Sequence, residues 1–140
     1  MKIKTTVTKG NDIKRNWHLI DLKGKTLGRI CSEIAQILMG KDKVDFSFNR
    51  DAGDYVVAVN ADKIKVTGRK PDQKIYYHYT NYAGNLREFS FKEMMAKDPR
   101  KVISIGVAGM LPKNKLRDKR LARLKVFVGA DHKYAEKFTK

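Results

Sequence analysis

The side chains best suited to chemistry are concentrated in a basic segment, residues 113–125, which follows an apolar segment ending at Pro112. Leu116, Leu121 and Leu124 form a sparse apolar stripe, which predicts a helix docked on one side. The other side is cationic and therefore suited to phosphate groups. The candidate phosphate-binding residues here are Lys113, Asn114, Lys115, Arg117, Arg120, Arg123 and Lys125.

A second stretch, residues 67–86, interleaves cations with aromatic rings. Rings can stack on exposed bases while Lys and Arg neutralise phosphates, so this composition favours RNA. The alternative is a strand that packs its tyrosines onto the core, and some of them must do so, because successive side chains of a strand point to opposite faces. The candidates from this stretch are Arg69, Lys70, Lys74, Tyr76, His78 and Tyr82.

The sequence Gly24-Lys25-Thr26 lies between a predicted strand and a predicted helix, where a nucleotide-binding phosphate loop would lie. That motif requires a glycine five residues earlier, and the position holds Leu19, so we reject a nucleotide site. The free amide groups at the helix start, beside Lys25 and Arg29, could still bind one RNA phosphate. An ordinary capped turn that binds no ligand is an equally good interpretation of this segment.

The polar loop before the next strand adds the candidates Lys41, Lys43 and Arg50.

No arrangement of residues typical of catalysis appears. His18, His78 and His132 lie in different segments, without an HExxH motif or paired carboxylates. The single Cys31 excludes an internal disulfide and a zinc site built from several cysteines, and its place on an apolar helix face predicts a core thiol. We therefore predict no enzyme activity, no small-molecule substrate, no cofactor and no metal.

The composition favours a polyanionic partner. Lys and Arg outnumber Asp and Glu by 31 to 15, which gives a formal charge of +16, yet 41% of the chain is hydrophobic, so it folds. Nucleic acid is the first candidate and an anionic membrane surface the second. The second is disfavoured because the sequence has no strongly amphipathic helix with exposed aromatics and no apolar run near the roughly twenty residues of a membrane span. Without a signal-peptide core, a cytoplasmic location is the default.

The elements that must position these residues indicate a single α/β domain. A strand at 17–21 leads to a helix that begins after Thr26 and stops at Gly40, and a buried strand follows at 55–59. A shorter extended piece is predicted at 64–66, a capping box at Ser90 and Glu93, a helix capped by Asp98, and a last strand at 126–129. We predict a basic arm at 1–16, the domain at 17–129 and a tail at 130–140.

Several of these segments, taken in order, resemble the L13 family of large-subunit ribosomal proteins. The opening match is WHLID at 17–21 with GKTLGR at 24–29, and the middle is GDYVV at 53–57 with NA at 60–61 and TG at 67–68. The end is VAGMLPKN at 107–114 with LKVFVG at 124–129. Each match is weak alone, but the collinear set from 17 to 129 is specific.

The resemblance implies a three-layer α/β/α fold with a small, mainly parallel four-stranded sheet and basic extensions. It also implies binding to large-subunit (23S-type) rRNA, contact with neighbouring ribosomal proteins, a role early in subunit assembly and no catalysis. Binding of the protein to its own messenger RNA as a repressor is left open by the resemblance. The choice between a bacterial cytoplasmic ribosome and an organelle ribosome is also left open.

Overall fold

Three parallel strands form the central sheet of the protein, whose computed structural model describes residues 13–138. They are β1 (Trp17–Asp21), β2 (Tyr55–Val59) and β5 (Leu124–Val126), and β2 lies in the middle. Four of the five residues of β2 are buried, because a central parallel strand is covered on both faces. Of the arm predicted at 1–16, only 13–16 are described, and the last two residues of the predicted tail also lie outside the described residues.

A separate antiparallel hairpin and five helices complete the fold. The hairpin consists of β3 (Ile75–Tyr79) and β4 (Leu86–Ser90), paired from Ile75 with Ser90 to Tyr79 with Leu86. The helices are α1 (Leu27–Met39), α2 (Lys70–Gln73), α3 (Phe91–Lys97), α4 (Pro99–Met110) and α5 (Arg117–Ala122).

Local signals in the sequence set most of the helix ends. Gly40 ends α1 in the left-handed conformation (φ +75°), and its amide donates to carbonyl oxygens of the last turn. The Ser90 hydroxyl accepts from the amide of Glu93, whose carboxylate accepts from the amide of Ser90, so the predicted capping box is confirmed. Asp98 caps α4 through the amide of Arg100. Thr26 precedes α1, but its side chain caps no amide of the described residues.

The core lies between one face of the sheet and the helices α1 and α4. Alternate strand residues, among them Ile20, Val56 and Ala58, share a single buried cluster with apolar side chains of both helices. The helices approach closely at Gly106, where a Cβ atom would lie 2.8 Å from the Cys31 sulfur. Cys31 is fully buried, as predicted, and burial raises the pKa of its thiol to about 11.

Aromatic side chains cluster at the start of the sheet. Trp17 of β1 stacks on Tyr55, its partner in β2, with ring centroids 4.4 Å apart. Tyr134 and Phe138, from the C-terminal segment, pack on Trp17 with ring centroids 5.1 and 6.4 Å away. The C-terminal segment is thus held against the domain by aromatic contacts.

The expected four-stranded, three-layer arrangement is not confirmed; the structure is mixed α/β with a parallel three-stranded sheet. The piece predicted at 64–66 forms only an isolated bridge, in which Lys65 pairs with Thr26 at the start of α1. A short 3-10 helix, Ala61–Lys63, has already turned the chain away from the sheet there. The last strand was predicted at 126–129 and instead spans Leu124–Val126.

Candidate nucleic-acid interface

Two arginines of the basic segment are buried, which corrects the expectation that they lie on its cationic face. Arg120 is 1% exposed and Arg123 is 7% exposed. Arg123 donates two hydrogen bonds to the two carboxylate oxygens of Asp51, at 2.6 and 2.5 Å, and a third to the carbonyl oxygen of Leu38 at 3.2 Å. Such a bidentate pair is strong and directional. Arg123, which lies between α5 and β5, therefore links this part of the chain to the loop before β2 and to the end of α1.

Asp51 also attracts two further guanidinium groups. Arg120 lies 3.7 Å from its carboxylate and donates to the carbonyl oxygen of Arg50, while Arg15 lies 3.7 Å away and donates to the carbonyl oxygens of Gly53 and Asp51. Burial opposes ionisation of Asp51, but the hydrogen bonds and charge of Arg123, helped by the charges of Arg15 and Arg120, outweigh it. The pKa of Asp51 is therefore lowered, and the carboxylate stays charged.

A second acidic residue, Asp54, pairs with Lys43, another of the predicted phosphate-binding candidates. The Lys43 ammonium donates to Asp54 at 2.6 Å and to the carbonyl oxygens of Ala52 and Lys14. Asp54 also accepts from the amide of Asn16 and contacts the His18 ring at 3.0 Å. Burial raises the pKa of Asp54, and the bonds from Lys43, Asn16 and His18 lower it by more. Lys43 is thus a half-buried structural cation.

The loop that carries both acids lies directly against α1. A Cβ atom at Gly53 would fall 1.7 Å from the carbonyl oxygen of Leu38, so only glycine fits at this position. This contact brings the loop close enough to α1 for Arg123 to reach Leu38 and Asp51 together. The loop, the end of α1 and the end of α5 therefore form one packed support.

The cations that remain exposed on this support lie just before α5 and within it. Lys113 and Lys115 are exposed, and neither has an acidic partner among the described residues. The Asn114 side chain accepts from the amide of Leu116 and shapes the turn before α5. We call Lys113, Lys115 and Lys119 the α5 group; Lys119 was not among the predicted candidates. Arg117, Lys125 and Arg50 are half-buried, and Lys41 is exposed.

A second set of predicted cations gathers near the start of α1. The bridge between Thr26 and Lys65 brings the segment leading to α2 beside this helix. A small pocket of about 150 Å³ there is lined by residues of both, including Gly28, Lys70 and Lys74. The predicted candidates of this region are all exposed: Lys25, Arg29, Arg69, Lys70 and Lys74. The structure thus joins candidates that are up to fifty residues apart in the sequence.

The rings of the hairpin divide between core and surface, as the strand alternation requires. Tyr76 is 8% exposed and belongs to the buried cluster, so for this residue the core alternative is confirmed. Tyr82 is 73% exposed at the hairpin turn, and His78 is exposed. Tyr77 and Tyr79 are more than half exposed and were not among the predicted candidates, although their alternation with Tyr76 was the signal that could have found them.

Other kinds of site find no support in the part of the chain that the structure describes. No group of three or more His, Cys, Asp or Glu side chains within residues 13–138 is placed to hold a metal ion. Of the helices formed by these residues, none is long and apolar enough to cross a membrane.

Comparison with known protein families decides which family the chain falls in. Residues 15–133 match the family model described as Ribosomal protein L13. The chain belongs to this family. The resemblance found in the sequence is therefore confirmed, and membership marks the chain as a structural, non-enzymatic protein.

Relatives in this family match along nearly the whole chain. Large ribosomal subunit protein uL13 of Clostridioides difficile (strain 630) is 51% identical over 133 residues, which cover 95% of this chain and 93% of the relative. The uL13 protein of Agathobacter rectalis is 50% identical over 133 residues, covering 95% and 94%. That of Roseiflexus sp. (strain RS-1) is 45% identical over 133 residues, covering 95% and 91%.

Proposed function

We propose that this protein is a structural constituent of the large ribosomal subunit that binds 23S-type rRNA and helps the subunit to assemble at an early stage. The observation that carries the proposal is the division of the basic segment into two kinds of cation. Arg120 and Arg123 are neutralised by Asp51 inside the protein, whereas Lys113 and Lys115 are exposed without an acidic partner among residues 13–138. Family membership supports the same role.

The proposed mechanism is the placement of fixed cations where rRNA helices converge. The contacts of Arg120 and Arg123 tie the end of α5 to the loop before β2, so the lysines before α5 lie next to a packed part of the fold. Contacts of Lys and Arg with phosphates set the position of RNA but carry little sequence information. Specificity would therefore come from the shape of the folded rRNA, and neighbouring ribosomal proteins would complete the site.

The test is a titration of in-vitro transcribed large-subunit rRNA with the full chain and with the double variant Lys113→Gln, Lys115→Gln. We expect at least about 10-fold weaker binding and a salt slope smaller by about 2, because two phosphate contacts are lost. The melting temperature of the free variant should stay unchanged, since both side chains are exposed. The matched control is Lys133→Gln, Lys137→Gln, which removes the same charge from the C-terminal segment.

Equal losses of affinity in the two double variants would show that net charge alone drives binding and would contradict the assignment of the α5 group. The protein's own messenger RNA, titrated in parallel, tests the extension of the proposal to self-repression, which would use the same phosphate contacts. Anionic lipid vesicles test the competing partner class. Vesicle binding as tight as rRNA binding would contradict the proposal.

A further inference from the structure

A cleft formed by the described residues lies between the hairpin and the helices α3 and α4. Its volume is about 840 Å³, within the range of roughly 300–1,000 Å³ typical of clefts that hold small ligands. In the hairpin, Tyr76 pairs with Phe89 and His78 pairs with Arg87, so these four side chains share one face. Tyr76 packs on the core, while the His78–Arg87 end of that face is exposed and lines the cleft.

The cleft combines an apolar wall with cations. Ile105 of α4 lines it and is 46% exposed, so its apolar side chain is accessible from the cleft. Lys74, Arg87, Lys97 and Lys101 also line it, and no acidic side chain does so among the described residues. The Lys97 ammonium lies 5.0 Å from the centre of the Phe89 ring, and the Lys74 ammonium lies 5.1 Å from that of Tyr76. Two cations thus lie beside two neighbouring rings of the hairpin.

We propose that this cleft binds one unpaired nucleotide that is turned out of the folded rRNA. An unpaired nucleotide carries a flat, largely apolar base and an anionic phosphate, and the cleft offers an apolar wall together with four cations. Arg and aromatic side chains are the usual partners of splayed-out bases. The inference rests on the proposed rRNA binding and adds a specific contact to it.

An acidic segment of a neighbouring protein is the rival occupant, since it would satisfy the same four cations. A nucleotide is favoured because the cleft also presents the Phe89 ring, the imidazole of His78 and the exposed Ile105, which suit a flat ring system better than a carboxylate. The rival becomes one outcome of the test.

The test measures the binding of two fluorescent RNAs to the full chain by anisotropy. One probe is a single-stranded oligoadenylate of about six nucleotides. The other is a blunt RNA duplex of about sixteen base pairs, whose bases cannot enter the cleft. The single variant Ile105→Trp fills the cleft without changing the charge. The double variant Arg87→Gln, Lys101→Gln removes two of the cations that line it. The double variant Lys133→Gln, Lys137→Gln is the control for a loss of two charges outside the cleft.

We expect the variant Ile105→Trp to weaken oligoadenylate binding at least about 10-fold. We expect the same loss in the double variant Arg87→Gln, Lys101→Gln. In Ile105→Trp, duplex binding should change less than about 2-fold, and the control variant should behave like the unaltered chain with both probes. Ile105 is exposed, so the variant should melt at the unaltered temperature. If it does not fold, Arg87→Gln, Lys101→Gln decides the question.

Three results would overturn the inference, and they are distinguishable. Unchanged oligoadenylate binding by both cleft variants, with duplex binding intact, would remove the cleft but leave the proposed function standing. Failure of the unaltered chain to bind either RNA would remove both. The variant Ile105→Trp can also be used to reconstitute the large subunit. If its RNA binding is unchanged but a neighbouring ribosomal protein is missing from the reconstituted particle, the cleft binds a protein partner.

Discussion

Asp51 shows how a single carboxylate can decide which basic residues face inward. Three guanidinium groups converge on it from two parts of the chain: Arg15 precedes β1, and Arg120 and Arg123 come from α5 and its end. A buried ion pair does not stabilise a fold strongly over an apolar replacement, but removal of one partner leaves an uncompensated buried charge. The two arginines in the α5–β5 region are the charges that would be left.

We therefore expect Asp51→Asn to lower the free energy of unfolding by about 3 kcal/mol, because Arg120 and Arg123 would remain buried without a counter-charge. Urea unfolding of the free protein measures this loss. The control is Asp45→Asn, an exposed acid in the loop that follows α1, which should change stability by less than about 0.5 kcal/mol. Similar losses in both variants would contradict a special role for Asp51.

The lowered pKa of Asp51 gives the same variant a signature in pH. A carboxyl group whose pKa is lower in the folded state than its unfolded value of about 3.9 stabilises the fold above that value, and this stabilisation is lost as the pH falls through the folded pKa. The unaltered protein should thus lose stability steeply below about pH 4. Asp51→Asn should lose it less steeply, with the remaining slope arising partly from Asp54.

At the scale of elements, those with strong local signals could be predicted and those that depend on distant partners could not. The helix α1 follows from apolar residues on one face and from Gly40, and α3 follows from its capping box. The segment 64–66 is predicted as a short extended piece, but its pairing with Thr26 depends on how the chain turns at Ala61–Lys63. Local sequence contains no such information.

The same limit applies to the candidate site. Lys119 and Arg120 are adjacent cations, yet the first is exposed and the second is buried. Arg120 donates to the carbonyl oxygen of Arg50, which lies 70 residues earlier in the chain, and its guanidinium group lies 3.7 Å from Asp51. The sequence could therefore predict where the cations are concentrated, but it could not predict which of them remain free for a ligand.

The C-terminal segment provides a prediction at this scale. Trp17 is the only tryptophan, and Tyr134 and Phe138 pack on its ring. We expect Tyr134→Ala to cost about 2 kcal/mol in unfolding free energy, from lost aromatic contact and burial. It should also shift the fluorescence emission of Trp17 to longer wavelength, because water would reach the indole.

Tyr82→Ala is the matched control for this prediction, since Tyr82 is a largely exposed ring at the turn of the hairpin. It should change neither the stability nor the tryptophan emission. An unchanged emission spectrum for Tyr134→Ala would mean that the segment does not cover Trp17 in solution.

Across the whole molecule, the formal charge of +16 has two opposite consequences. Like charges repel within the compact chain and destabilise it, while the same charges attract a polyanion. The buried pairs of Asp51 and Asp54 neutralise only a few of the cations. Most of the excess is therefore at the surface, where dissolved salt screens it.

Salt should consequently stabilise the free protein while it weakens binding to rRNA. Between about 20 and 300 mM KCl the Debye length falls from roughly 20 Å to below 10 Å, so the melting temperature of the free chain should rise by several degrees as surface repulsion is screened. Over the same range the logarithm of the rRNA affinity should fall linearly with the logarithm of the salt concentration.

Chloride is preferred to sulfate in this experiment because sulfate stabilises folded proteins by exclusion from their surface. A variant with less exposed charge should show a smaller dependence on salt, both of its melting temperature and of its rRNA affinity. The suitable variant combines Lys113→Gln, Lys115→Gln, Lys133→Gln and Lys137→Gln. A melting temperature that falls with added KCl would instead show that attractive surface pairs outweigh the repulsion.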